Sequence, residues 1–84
     1  MSALSDLPNI GKVLESHLLR IGIKTPEELY RTGAEDAFIL IRMQVDPTAC
    51  LHMLYGIQGA IDGVRYTLLS DHTRERLQIF YKTL

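Results

Sequence analysis

The side chains best suited to chemistry in this sequence are one thiol and three imidazoles: Cys50, His17, His52 and His72. Cys50 and His52 stand two residues apart, which on a helix turns them about 200° from one another. They cannot serve as nucleophile and base. No two histidines have the spacing of a metal-binding pair. His17 falls within an apolar helical face and is expected to hydrogen-bond inside the fold, while Cys50 reads as a small buried hydrophobe. The adjacent carboxylates Glu27-Glu28 and Glu35-Asp36 could in principle share acid–base work. Each pair, however, lies near an expected helix start, where the dipole favours anions. Catalytic, cofactor-binding and metal-binding residues are therefore all expected to be absent, and no enzyme activity is expected.

A second chemistry is carried by backbone. Residues Leu7-Pro8-Asn9-Ile10-Gly11-Lys12 form a short turn followed at once by an amphipathic run. In the hairpin of a helix-hairpin-helix element, amides at the start of the second helix grip a nucleic-acid phosphate. A gripping hairpin usually reads hydrophobe-Gly-hydrophobe-Gly, and Asn9 stands here at the first glycine. Asparagine tolerates the left-handed backbone better than most residues, so the turn can survive. Lys12 is the nearby cation, with Asp6 and Glu15 close in sequence. Asn9, Ile10, Gly11 and Lys12 are thus the candidate DNA-backbone contacts of an alternative reading.

These groups must be positioned by helices. Ile10, Val13, Leu14, Leu18 and Ile21 recur at helical spacing, and Gly22 ends that run. Thr25-Pro26-Glu27-Glu28 supplies a capping hydroxyl, a first-turn proline and a glutamate at the third position, a clear helix start. Gly33 closes that short helix, and Ala34 opens a third, AEDAFILIRMQ. Asp46-Pro47 is expected to start the longest helix, running to about Asp62, with Gly63 as its terminator. Ser70-Asp71 caps a last helix whose apolar positions are Leu77, Phe80, Tyr81 and Leu84. Residues 1–6 read as a short, frayed leader before one domain at 7–84. The expected fold is all-α, a compact five-helix domain.

Composition narrows the function classes. The chain has 84 residues, of which 46% are hydrophobic, enough for one domain with a real core. Nine basic and ten acidic residues give a formal charge of −1. Non-specific DNA affinity comes mainly from cations that neutralise phosphates, and this chain has no such surplus overall. A single cysteine excludes an internal disulfide and fits a reducing cytoplasm. The longest unbroken apolar run, Ala37–Ile41, is far too short to cross a bilayer, so no membrane role is expected.

Two helices carry more apolar or small surface than a small bundle needs. On the long helix, Met53, Leu54, Ile57 and Ile61 lie within about 60° of Cys50 and mark the core face. Gly56, Gly59 and Gly63, with His52, lie on the opposite side. Each interior glycine costs about 1 kcal/mol relative to alanine. Something must therefore pack close there, either another part of this chain or a second protein. On the third helix, Phe38, Ile39, Leu40, Ile41 and Met43 point nearly all round, the mark of a central or partner-covered helix. Leu40, Met43, His52, Gly56 and Gly59 are accordingly the candidate partner interface, self-association included.

The stretches LPNIGKVLESHLLRIGIKTPEELYRTGAEDAF, CLHMLYGIQGAIDGVRY and LQIFYKTL resemble the C-terminal domain of the TfoX/Sxy bacterial competence regulators. The likeness runs from Leu7 to Leu84 and is strongest at Leu7–Gly11, Gly22-Ile23, Thr25–Leu29, Gly33-Ala34, Cys50-Leu51 and Gly63–Tyr66. It implies a helix-hairpin-helix-like or SAM-like helical domain, a bacterial cytoplasmic setting and a link to transcriptional control of DNA uptake. Regulators of this family usually carry an additional N-terminal domain, which implies a stand-alone version or an excised piece here. The expected function is a non-enzymatic domain acting by protein–protein contacts in transcriptional regulation, with the hairpin–DNA reading as its alternative.

Overall fold

In the structure, a computed structural model that describes residues 3–84, turn chemistry sets where each helix begins and ends. A 3-10 turn (Ala3–Asp6) leads into α1 (Lys12–Arg20), α2 (Pro26–Thr32), α3 (Ala34–Gln44) and α4 (Leu51–Asp62). A second 3-10 turn (Tyr66–Leu68) connects α4 to α5 (Asp71–Lys82). The described residues form no strand, and the fold is all-α.

The stop at Gly22 shows the mechanism. Gly22 has φ +93°, its N–H donates to Leu19 O at 3.1 Å, and the Ile23 N–H donates to Leu18 O at 2.9 Å. These bonds satisfy helix-end carbonyls and fold Ile23 back onto Leu18, both in the core. Thr25 then caps α2 through the Glu28 N–H at 3.1 Å, and Glu28 Oε1 accepts from the Lys24 N–H. Ser70 caps α5 through the Thr73 N–H in the same way.

Helix α4 is the centre, packed against α2, α3, α5 and the 66–68 turn. Leu54, Ile57 and Ala60 are fully buried on it. Helix α3 buries Ala34, Ala37, Phe38 and Ile41, a helical stripe, so its apolar content is less all-round than the composition suggests. Ile39 and Leu40 are half-buried, and Met43 is 76% exposed. Arg42 lies over the rings of Phe38 and Tyr81 at 5.8 and 5.5 Å, covering that edge of the core.

Three expectations need correction. Leu4 is fully buried within the Ala3–Asp6 turn, so that turn is anchored to the core by one side chain rather than frayed; Met1 and Ser2 lie outside the described residues. The long helix begins at Leu51, not Asp46. Asp46 Oδ1 accepts from the Thr48 N–H at 2.9 Å and the Thr48 hydroxyl at 2.6 Å, a local turn that outcompetes helix. Cys50 consequently sits at the N-cap of α4 and is exposed, not buried.

The same turn carries charge. The Thr48 hydroxyl, then its backbone amide, then His17 hold the Asp46 carboxyl below its ordinary value, against some desolvation. A carboxyl lowered in the folded state adds stability that is present above its unfolded value and lost as pH falls through the folded one. Acid titration of thermal stability should therefore show a loss in the low-pH carboxylate range that Asp46→Ala makes shallower. An unchanged acid limb in the variant would show that this turn contributes nothing.

Candidate functional site

Asn9 has a left-handed backbone, φ +68°, alone among the described non-glycine residues. The turn around it is short: the Leu7 N–H donates to Leu4 O, and the Ile10 N–H donates to Leu7 O. What holds it is the side chain. The Asn9 amide donates to Gly56 O at 3.3 Å and to Val64 O at 3.0 Å, while its carbonyl accepts from the Tyr66 N–H at 3.0 Å. One short amide thus ties the start of α1 to the middle of α4 and to the chain leaving α4.

The glycines make this approach possible. A Cβ built on Gly59 would sit 2.6 Å from Asn9 Nδ2 and 2.7 Å from Val64 O, closer than any real contact. At Gly56 the nearest atom is Asn9 Cβ at 3.6 Å, an ordinary contact. Gly63, at φ +76°, reverses the chain so that the Val64 N–H donates to Gly59 O at 2.9 Å. The small face of α4 is therefore occupied intramolecularly at Gly59, and both Gly56 and Gly59 are buried. Gly59 is closed off by this packing, while Gly56 reaches the surface as part of a groove lining.

Toward its N-terminal end the same face of α4 lies open. A groove of about 480 Å³ runs between α1 and α4, lined by Lys12, Val13, His52, Met53, Gly56 and Tyr66 among others. A second depression of about 720 Å³ shares Asn9 and Tyr66 with it and continues past Val64, Arg65 and Leu68. Val13 is 68% exposed and Leu68 70%. The rim is held in place: His52 packs edge-on against Tyr55 and Tyr66, with ring centroids 6.3 and 6.2 Å apart. Arg74 donates to Tyr66 O and Thr67 O, pinning the 66–68 turn to α5.

The candidates from sequence thus separate. His52 stands on the groove, with Gly56 at its floor. Leu40 lines a different depression with Thr32, Asp36 and Ile39, and Met43 projects from the end of α3. The hairpin set divides as well. The Asn9 side chain is committed to α4 and the Ile10 N–H donates to Leu7 O, while Gly11 and Lys12 are exposed at the start of α1, which no side chain caps. A helix-hairpin-helix has helices on both sides of such a turn; here the element before it is the four-residue 3-10 turn. His17 places Nε2 3.9 Å from Asp46 Oδ2, and its buried Nδ1 has no partner. Groups of three or more His, Cys, Asp or Glu able to hold a metal ion do not occur among the described residues. Sequence reasoning missed Val13, Tyr66 and Leu68, although an apolar residue at the polar edge of an amphipathic run, such as Val13, is a visible signal.

A family model described as the TfoX C-terminal domain matches residues 1–81. The chain belongs to that family. Its fold matches a crystal structure of an uncharacterized protein from Listeria monocytogenes in a triclinic form, with TM-score 0.92 and 42% identity over 95% of this chain and 90% of that one. A tetragonal form, of a protein of unknown function from Listeria monocytogenes, gives TM-score 0.91 and 42% identity over 95% of this chain and 96% of that one. No curated protein matches significantly.

The clasp predicts unequal effects along one helix face. Gly59→Ala should destabilise by about 1–3 kcal/mol through overpacking against backbone, whereas Gly56→Ala should be neutral or stabilising by up to about 1 kcal/mol. Asn9→Ala should cost about 2–4 kcal/mol, from lost hydrogen bonds and a left-handed alanine. Urea unfolding of the three variants checks the order; equal losses at Gly56 and Gly59 would contradict this packing.

Proposed function

We propose that this chain is a non-enzymatic helical interaction domain that works by protein–protein contacts in bacterial transcriptional regulation, within the cytoplasm. The observation that carries the reading is the open apolar groove beside Asn9. Apolar side chains held rigidly at a surface lose little freedom on association and gain burial. Val13, Tyr66 and Leu68 there, with Met43 on α3, are exposed well beyond what packing requires. Membership of the TfoX C-terminal domain family supplies the regulatory context, with competence as one instance of it.

The chemistry of the side chains supports a binding role. His52 sits between two tyrosines, His17 faces Asp46, and the exposed Cys50 thiol opens α4. His17 and Asp46 form the one acid–base pair among these, and neither lines the groove. Among the described residues no helix is long and apolar enough to cross a membrane. The alternative, phosphate binding by backbone amides at the start of α1, loses the Ile10 amide, which donates to Leu7 O at 3.4 Å.

Photo-crosslinking in bacterial cells tests the proposal. A photoreactive residue at position 43 or 52 should yield adducts with protein. Adducts with nucleic acid alone would reverse the choice. So would micromolar duplex-DNA binding that falls steeply with salt and is weakened by Lys12→Glu.

A further inference from the structure

The groove has a charge pattern that the chain as a whole lacks. The formal charge of the protein is −1. Yet the described residues lining the two joined depressions include Lys12 and Arg65 and no carboxylate. Glu15 and Asp62, the acids nearest in sequence, lie outside that lining. Between the cations the surface is mostly apolar, with Val13 and Leu68 exposed and Met53 half-buried, and His52 and Thr67 add neutral polar groups to the lining.

We propose that this groove binds an acidic amphipathic segment of a partner protein. Apolar side chains of the segment seat on Val13, Met53 and Tyr66, and its carboxylates face Lys12 and Arg65. The inference rests on the protein-contact reading above and names the partner's chemistry. A groove between two helices suits a helical segment that presents anchors three and four residues apart. Acidic flanks complement the rim and suppress basic partners. The uncapped start of α1 at Gly11 favours negative charge in the same place.

Charge also decides against two other occupants. In a two-fold contact between copies of this groove, each would present Lys12 and Arg65 to a lining with no carboxylate, an arrangement that repels. Nucleic acid needs a track of cations for successive phosphates. Here two cations flank an apolar floor.

Selection from a random phage-displayed library of peptides about 16 residues long tests the assignment. Enriched peptides should combine Asp or Glu with apolar residues at helical spacing. Their affinity should fall about tenfold or more in Lys12→Glu, Arg65→Glu and Val13→Asp, and should weaken with salt. All three residues are exposed, so melting temperatures should stay at the wild-type value. Enrichment of basic or uncharged peptides, or binding indifferent to the three substitutions, would overturn the proposal. No enrichment over a Val13→Asp control would do the same, as would a dimer in light scattering that Val13→Asp disperses, or duplex DNA competing for this face. Crosslinks to protein through position 43 but never position 52 would leave the protein-contact reading standing and remove the groove from it.

Discussion

A single carboxamide organises this domain. Asn9 reaches across 47, 55 and 57 residues of sequence to Gly56, Val64 and Tyr66. Each such bond contributes about 1 kcal/mol net, modest singly, but the three converge on one side chain and constrain one another. They fix three things at once: the direction in which α1 leaves its turn, the position of the chain after α4, and the depth to which both approach the central helix. The glycines are the negative image of that amide. Gly59 is empty because Asn9 and the Val64 carbonyl fill the space a methyl would need.

What could be read from the residues in order was whatever is decided locally. Thr25 and Ser70 cap the amides that follow them by three residues, and Gly22 and Gly63 take left-handed geometry that other residues resist. Such signals survive without knowledge of the fold. The close approach at Gly56 and Gly59 was also legible, because two glycines inside a helix call for a cause. The identity of what approached was not, since it arrives from the other end of the chain. Asn9 was noticed for its backbone tolerance, and its side chain, which does the holding, gave no separate signal.

The misreadings have equally local causes. Asp46-Pro47 has the composition of a helix start, but Thr48 donates twice to the Asp46 carboxylate and closes a turn instead. That delay moves Cys50 from an expected core position to the exposed cap. Leu4 belongs to a stretch that reads as a frayed leader, yet its one apolar side chain in a 3-10 turn is fully buried in the core. On α3, apolar residues on every side suggested burial all round. The helix instead keeps one buried stripe and leaves Met43 bare.

The clasp also explains why a groove exists at all. Close packing along the whole small face of α4 would have required α1 to lie parallel and near. Asn9 makes the close approach at Gly56 and Gly59, and beyond it Val13 and Lys12 of α1 line the groove together with His52 and Met53. On the far side, Tyr66 is fixed by the same amide and by Arg74. Both walls thus meet at Asn9, with α1 held in addition by its packing on α3 and the 66–68 turn by Arg74. The inward side chain of Asn9 and the open groove thus belong to one arrangement, in which the start of α1, the middle of α4 and the 66–68 turn meet at a single carboxamide.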